Sequence, residues 1–309
     1  MKIFNSIHDF SCSKKTILTL GTFDGVHVGH RKILEKVTQN SETETTESLV
    51  LTFFPHPRMV LQGQTEVKLL NTIGEKIDLL EKIGVQNLVI HPFDETFSQL
   101  TAEEFVRTVL VEQFHIQKII IGHDHRFGRN RTANIDDLVA FGKKYHFEVE
   151  QISVQEIKEV SISSTKIRNA LTEGNMALAN DYLGYEYFLT GTVSKGKQLG
   201  RTIGFPTANL QIEENQKLIP QNGVYVVKSI IDQKTVFGMM NIGFNPTVAG
   251  EKLSVEVHYF DFDADLYDQE IRVSILEYLR AEQKFSSVPL LKEQLEKDKD
   301  SAWAYIKTL

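Results

Sequence analysis

ILTLGTFDGVHVGHRKILEKV, residues 17–37, decides how the first half of this chain is built. Ile17–Leu20 is a short apolar run, Gly21, Gly25 and Gly29 punctuate the turn that follows, and the residues after it have helical spacing. A strand feeding a helix through a tight turn is the unit from which parallel sheets are made. The unit repeats outward. Leu49–Phe54 reads as the next strand, stopped by Pro55 and Pro57 because proline cannot continue a central strand. Between the two, SETETTES (41–48) reads as an exposed loop with no chemistry. Thr72–Ile83 sets Ile73, Ile77, Leu80 and Ile83 on one helix face, with Gly84 as its cap. Asn87–Ile90 resumes a strand, and Thr101 with Glu104 forms a capping box ahead of EFVRTVLVEQF. Lys118–Ile121 is β-branched and extended, and Ile135–Tyr145 and Phe147–Ile152 add a last helix and strand.

Such alternation predicts an α/β domain with a parallel sheet covered on both faces. Ligands of these sheets collect beyond the carboxyl ends of the strands. Three strand-to-helix turns carry unusual residues: GTFDGVHVGH (21–30), TFFPHPR (52–58) and IGHDHRFGR (121–129). The second half reads differently. After a helix over Asn175–Leu183, short β-branched and aromatic runs follow at Tyr187–Val193, Val224–Ile231, Thr235–Met240, Leu253–Phe260 and Ile271–Leu279. Strands this close, without helices between them, predict an antiparallel barrel or sandwich. Val288–Ile306 has helical spacing and is expected to pack across it. The boundary is placed near Gly184–Glu186, giving domains 1–185 and 186–309.

The 309 residues suit two domains. Their 41% hydrophobic and 24% charged content excludes a mainly disordered chain. No apolar stretch approaches the roughly 18 residues of a membrane helix, and the N-terminus lacks the pattern of a signal peptide. A lone Cys12 fits a reducing compartment, so a cytoplasmic location is expected. The net charge of −7 leaves only His123, His125, Arg126, Arg129 and Arg131 as a basic cluster. That is enough for one phosphate-bearing small molecule and a poor track for a nucleic-acid polymer. Nine of the ten histidines lie at or before His146, so the two halves are expected to do different chemistry.

His27 and His30, three apart at the opening of a helix, can project from one face. The helix N-terminus already favours phosphate, and two imidazole donors suit the charge on a nucleotide's α-phosphate and departing pyrophosphate. The same pair could bind zinc, given further ligands, or sit unremarkably on the surface. Neither G-x-G-x-x-G nor G-x-x-x-x-G-K-[ST] is present. In SISSTKIRNAL (161–171), Ser163, Ser164 or Thr165 can cap a helix that carries Lys166 and Arg168; this is either a plain capped helix or a supply of hydroxyls and a guanidinium for a triphosphate.

In KGKQLGRTIGFPTANL (195–210), Gly196, Gly200 and Gly204 make a loop whose amides could wrap a polyphosphate, with Lys195, Lys197 and Arg201 supplying charge. Thr207 and Asn209 are two apart and point to one side of an extended chain, offering hard oxygens suited to Mg²⁺. The alternative is a glycine-rich hairpin loop followed by an edge strand. In SVEVHYF (254–260), alternation puts Ser254, Glu256 and His258 opposite Val255, Val257 and Tyr259. Glu256 is either a solvated strand carboxylate or a general base for a substrate hydroxyl.

GTFDGVHVGH with ISSTKIR resembles the nucleotidyltransferase superfamily. With TFFPHP and GHDHRFG added, the first half resembles the adenylyltransferase half of the bacterial bifunctional riboflavin kinase/FAD synthetases. The resemblance implies a Rossmann-like nucleotidyltransferase domain that transfers AMP from ATP to FMN, giving FAD and pyrophosphate. It assigns His27, His30 and Arg168 to the transferring phosphate. It assigns Gly21, Thr22, Phe23, Asp24, Gly25, Ser163, Ser164 and Thr165 to ATP, and His56, Pro57, Asp124, Arg126 and Phe127 to the flavin side. The chain departs from the family at Phe54, where an acidic residue is common, and at His125, where an aromatic is usual.

GRTIGFPTANL, GVYVV, NIGFNPTV, VEVHYFDFDADLYDQEI and YLRAEQKF follow the order seen in riboflavin kinases. This implies a Greek-key barrel with a C-terminal helix that phosphorylates the riboflavin 5′-hydroxyl with ATP. Thr207 and Asn209 would bind Mg²⁺ and Glu256 would be the base. Lys197, Gly200, Arg201, Gly204, Pro206 and Thr207 would hold ATP, and Asn241, at the head of 241–247, would meet the flavin. The expectation is a bifunctional enzyme acting on riboflavin, FMN and ATP, with self-association left open. Two alternatives stand beside it. One is a kinase whose first domain is inactive or takes another acceptor; the other is a non-catalytic flavin-binding regulator.

Overall fold

The structure is a computed structural model that describes residues 1–41, 43–61, 67–122, 126–152, 162–196, 199–212, 215–247 and 250–309. The chain divides into two compact units, Met1–Ser164 and Thr165–Leu309.

In the first unit, strands β1 (Lys2–Phe4), β2 (Lys15–Leu20), β3 (Thr46–Phe53), β4 (Asn87–His91), β5 (Ile116–Gly122) and β6 (Glu148–Ile152) form one sheet in the order β1-β4-β3-β2-β5-β6. Every pairing is parallel. All six carboxyl ends therefore lie along one edge. The chain leaves β2 toward β3 on one side, while β5 lies on the other, so the strand order reverses at β2. A crevice opens at such a reversal. Leu18, Leu49, Leu51, Val89, Ile119 and Ile121 share one core with Phe105, Val106 and Leu110, and the helix Val28–Asn40 packs Ile33 and Val37 in a second core with Ile17, Ile120 and Ile152.

Four features depart from the sequence reading. β3 begins at Thr46, inside the stretch expected to be an exposed loop. Thr46 and Ser48 are buried there, and the Ser48 N–H donates to Gln86 Oε1 (2.7 Å). Small hydroxyl side chains can be buried in a strand once they find partners, which composition alone does not reveal. The capping box of Thr101 and Glu104 is present, but the helix it starts continues over Phe105–Gln113 in π geometry. In the helix Ile73–Ile83 the buried positions are Glu75, Lys76, Leu79 and Leu80, so its inward face carries a cation. Two elements too short to show periodicity also appear, β1 and the helix Pro57–Leu61.

In the second unit, β7 (Phe188–Ser194), β8 (Ala208–Gln211), β9 (Gly223–Ile231), β10 (Lys234–Thr247), β11 (Gly250–Tyr259) and β12 (Glu270–Arg280) close into a barrel in the order β10-β11-β8-β7-β12-β9. All its pairings are antiparallel. Met240, Ile242, Val255, Val257, Val273 and Ile275 are among the buried barrel residues. The helix Val288–Ile306 lies against β9, β10 and β12, where Ala302, Leu295 and Trp303 share a core with Phe205, Val226, Met239 and Phe260. A forked ion pair fixes it. Arg280 Nε and Nη2 donate to the two carboxylate oxygens of the buried Asp298 (2.8 and 2.6 Å). β10 runs past the expected Met240 to Thr247, so 241–247 belongs to a long hairpin with β11.

Candidate active sites

The turn after β2 is folded tightly. Phe23 (φ 45°), Gly25 (φ 89°) and Val26 (φ 36°) all take the left-handed region. For the two residues other than glycine this costs on the order of 1 kcal/mol or more each, so the surroundings must hold them there. Asp24 is one tie, buried at 2% exposure, with Oδ1 accepting the Leu70 N–H at 2.9 Å. The Ser164 hydroxyl donates to the Asp24 carbonyl (2.9 Å). The Thr22 carbonyl accepts from Lys76 Nζ (2.8 Å) and from the Thr52 hydroxyl (3.3 Å).

His27 caps the helix that follows, with Nδ1 accepting the His30 N–H at 3.4 Å. The two imidazoles stack with centroids 3.6 Å apart and an interplanar angle of 17°, and Phe23 meets His30 edge-on at 5.2 Å. Burial first, then the neighbouring His27 and the Lys76 ammonium, hold His30 well below the usual imidazole range. A stacked imidazole pair is therefore packed at a helix N-terminus, its His30 member held neutral, and the buried His30 Nδ1 has no hydrogen-bond partner. Neutral imidazoles can donate N–H groups to phosphate oxygens and can take up a proton as charge builds. Among the described residues no three His, Cys, Asp or Glu side chains gather as a metal site, so the histidine pair belongs to no such cluster.

The carboxyl end of β3 carries the second turn. His56 Nδ1 accepts the Arg58 N–H (3.1 Å), and Pro57 opens the short helix Pro57–Leu61. At the carboxyl end of β5, Arg126 is exposed while Phe127 is buried in the core beside Phe105, its backbone bridged to Ala133. Asp124 and His125 lie outside the described residues, as does Lys197 in the second unit. Ser164 opens the helix Ser164–Thr172, on which Thr165 is exposed and Arg168 stands one turn further along. Ser163 directly precedes it.

In the barrel the register assembles the site. Asn209 on β8 and Asn241 on β10 both lie directly opposite Glu256 on β11. Residues paired this way share a face, so the three form a row across three strands. That face is opposite the buried Val255 and Val257. The Thr207 hydroxyl donates to Glu256 Oε2 (3.2 Å) and the Ser254 hydroxyl to Oε1 (2.8 Å). Glu256 is therefore half-buried and held by two hydroxyls.

Backbone pairing between β8 and β11 reaches only Ala208↔Val257, because Pro206 has no N–H to continue the ladder. The His258 side chain takes over, with Nδ1 2.8 Å from the Pro206 carbonyl. A carbonyl only accepts, so Nδ1 carries the proton. Burial lowers the His258 pKa, and Phe205 and Phe260 flank the ring. Sequence reasoning put His258 and Ser254 on this face without a role; the proline before Thr207 was the available clue. It missed Lys76 altogether, since nothing in the sequence marks a lysine as buried.

The glycine loop fits closely around these residues. A Cβ on Gly196 would lie 2.2 Å from Asn209 Nδ2, and one on Gly200 would lie 2.1 Å from the Phe205 carbonyl oxygen. Gly204 takes φ +87° just before Phe205, and Arg201 is exposed on the short helix Leu199–Thr202. The donors beside Glu256 are a hydroxyl and an amide, hard oxygens of the kind that hold Mg²⁺ while it keeps most of its water.

Two family models match the chain: FAD synthetase over residues 9–166 and riboflavin kinase over residues 183–306. A bifunctional riboflavin kinase/FMN adenylyltransferase of Listeria monocytogenes is 38% identical over 295 residues, 95% of this chain and 93% of that one. The protein of the same description from Escherichia coli K12 is 35% identical, over 98% and 97% of the two chains. A crystal structure from Streptococcus pneumoniae, described as a macrolide-efflux protein, superposes with a TM-score of 0.88 at 30% identity and covers 97% of each chain. That description is the neighbour's own.

Proposed function

The chain belongs to the bifunctional riboflavin kinase/FMN adenylyltransferase family, and from that premise we propose how its residues divide the two reactions. The enzyme phosphorylates riboflavin with ATP to give FMN, then transfers AMP from ATP to FMN to give FAD and pyrophosphate. We assign adenylyl transfer to residues 1–185 and phosphorylation to 186–309. The observation that carries the kinase assignment is the row Asn209–Glu256–Asn241, with the Thr207 hydroxyl on the Glu256 carboxylate.

Glu256 takes the proton of the riboflavin 5′-hydroxyl as that oxygen attacks the γ-phosphorus of ATP, and ADP leaves. Thr207 and Asn209 are the residues that would hold Mg²⁺, which neutralises phosphate charge when bound. The loop 196–204, with Lys197, Gly200, Arg201 and Gly204, and Pro206 just beyond it would hold the nucleotide, and Asn241 would meet the flavin. In the first domain, an FMN phosphate oxygen attacks the α-phosphorus of ATP and pyrophosphate departs. The enzyme has only to position and stabilise, with no nucleophile of its own. His27, His30 and Arg168 stabilise the transferring phosphate. Residues 21–25 and 163–165 hold ATP, and His56, Pro57, Asp124, Arg126 and Phe127 lie on the flavin side.

Among the described residues no helix is long and apolar enough to cross a membrane. The substrates are small molecules. We place the enzyme in the cytoplasm with no nucleic-acid partner, in keeping with its lone cysteine and net charge of −7. The test is to incubate the chain with riboflavin, ATP and Mg²⁺ and separate the flavins over time. FMN appearing first and then converting to FAD is expected. FMN accumulating without FAD would overturn the first-domain assignment, and Phe54 and His125 would be the first residues to exchange.

A further inference from the structure

Lys76 breaks three local rules at once. It is 6% exposed although lysine is rarely buried. It sits in the first turn of the helix Ile73–Ile83, directly after Glu75, where the helix dipole disfavours a cation. It also occupies the face that otherwise buries Leu79 and Leu80. A side chain that costs stability in local terms and persists marks a functional position.

Its side chain is held from both ends. Thr72 and Glu75 form a reciprocal capping box that locks the first turn of the helix (3.1 Å in each direction). From there the ammonium reaches the turn after β2 and donates to the Thr22 carbonyl at 2.8 Å. With the Thr52 hydroxyl at 3.3 Å, this carbonyl has two donors from two different elements. In a trans peptide the C=O and the following N–H point in opposite directions. Fixing the Thr22 oxygen toward Lys76 therefore turns the Phe23 N–H away from it, at the start of the segment whose left-handed residues need outside support.

We propose that Lys76 is a positioning residue for adenylyl transfer: through the Thr22 carbonyl it fixes the 21–25 turn with the Phe23 N–H available to a nucleotide phosphate, and its charge backs the His27–His30 pair. This rests on adenylyl transfer being the reaction of the first domain. The charged and titratable groups that act on His30 are His27 at the start of its own helix and Lys76 on the helix 73–83. Lys76 is one of the influences that keep His30 neutral. Removing the positive charge therefore raises the pH at which His30 takes a proton.

The test uses Lys76→Met and Lys76→Arg in the full chain, with FMN formation from riboflavin as an internal control. For Lys76→Met the expected result is a fall in FAD formation from FMN of roughly a hundredfold, carried by kcat, as for loss of one fixed transition-state donor. Kinase activity stays within about twofold, and the acidic limb of the adenylyl-transfer pH profile moves to higher pH. Lys76→Arg keeps the cation, recovers part of the rate and leaves the limb in place. FAD formation within about threefold of the parent, a pH limb that does not move in Lys76→Met, or an equal fall of both activities in both variants overturns the proposal. Failure of the unsubstituted chain to make FAD from FMN would instead overturn the reading on which it rests.

Discussion

The Thr207 hydroxyl lies 3.2 Å from Glu256 Oε2, across a gap that the strand ladder itself does not span. Backbone pairing stops at Ala208, and side chains continue it, Thr207 to Glu256 and His258 to the Pro206 carbonyl. The proposed kinase site therefore lies where a proline precedes the first paired residue of a strand. A carboxylate and two hydroxyls occupy space that a longer ladder would have filled.

Glu256→Gln keeps the shape of this arrangement and removes the base. Riboflavin kinase turnover should fall about 10²–10⁴-fold, the usual worth of a general base, with little change in the KM for ATP. FAD formation from supplied FMN should be unaffected. Full kinase turnover in the variant would remove Glu256 from the base role.

Gly196→Ala tests whether the position of Asn209 matters. The new methyl would need the space of the Asn209 amide, 2.2 Å away. The amide is the free end of a flexible side chain and can swing aside, so stability should change little. Kinase activity should drop at least tenfold and show a higher Mg²⁺ requirement in titration, while adenylyl transfer continues. An unchanged Mg²⁺ titration would count against Asn209 as a ligand.

Asp298→Ala removes one half of the forked pair that fixes the C-terminal helix. Asp298 is buried and also accepts from Gln294 Nε2 (2.9 Å). Loss of one partner of a buried pair costs about 3–5 kcal/mol, and the partial exposure of Arg280 puts the expectation near the lower end. Urea denaturation followed by Trp303 fluorescence would measure it. A loss under about 1 kcal/mol would mean that the pair is solvated enough to be dispensable.

Burial holds His30, His91 and His258 below the ordinary imidazole pKa. Each binds its proton less readily folded than unfolded. As pH falls through about 6.5 the unfolded chain takes up more protons, so stability drops on the acidic side. Urea midpoints should fall from pH 7.5 to pH 5, and His258→Gln should reduce that dependence. A midpoint that rises toward pH 5 would contradict the sign.

The parts of the fold legible in sequence were those with strong periodicity. β2, β5 and the helix 288–306 follow their apolar patterns, and the alternation in 254–260 puts Glu256 and His258 on one face. β1 and β8 are only three and four residues long and had no period to show. Thr46 and Ser48 looked like loop because a buried hydroxyl depends on a partner elsewhere in the chain, here Gln86 for Ser48. Lys76 was invisible for the same reason. Its meaning lies in the Thr22 carbonyl, 54 residues earlier. The histidine pair was legible as spacing, but its stacking and the lowered pKa of His30, which comes first from burial, are not encoded by spacing.

The two sheets also differ in what they offer to other chains. The barrel is closed, and among its described strands none is left unpaired for a foreign strand to join. The parallel sheet ends in β1, three residues long, and in β6, which carries Glu148 and Glu150. Lys118 on β5 pairs with both glutamates, and Lys36 also reaches Glu150. A short border on one side and a charged one on the other are the usual protection against edge-to-edge aggregation. Both domains can therefore be concentrated without templating one another, and mutations that neutralise Glu148 and Glu150 should show first as loss of solubility rather than loss of catalysis.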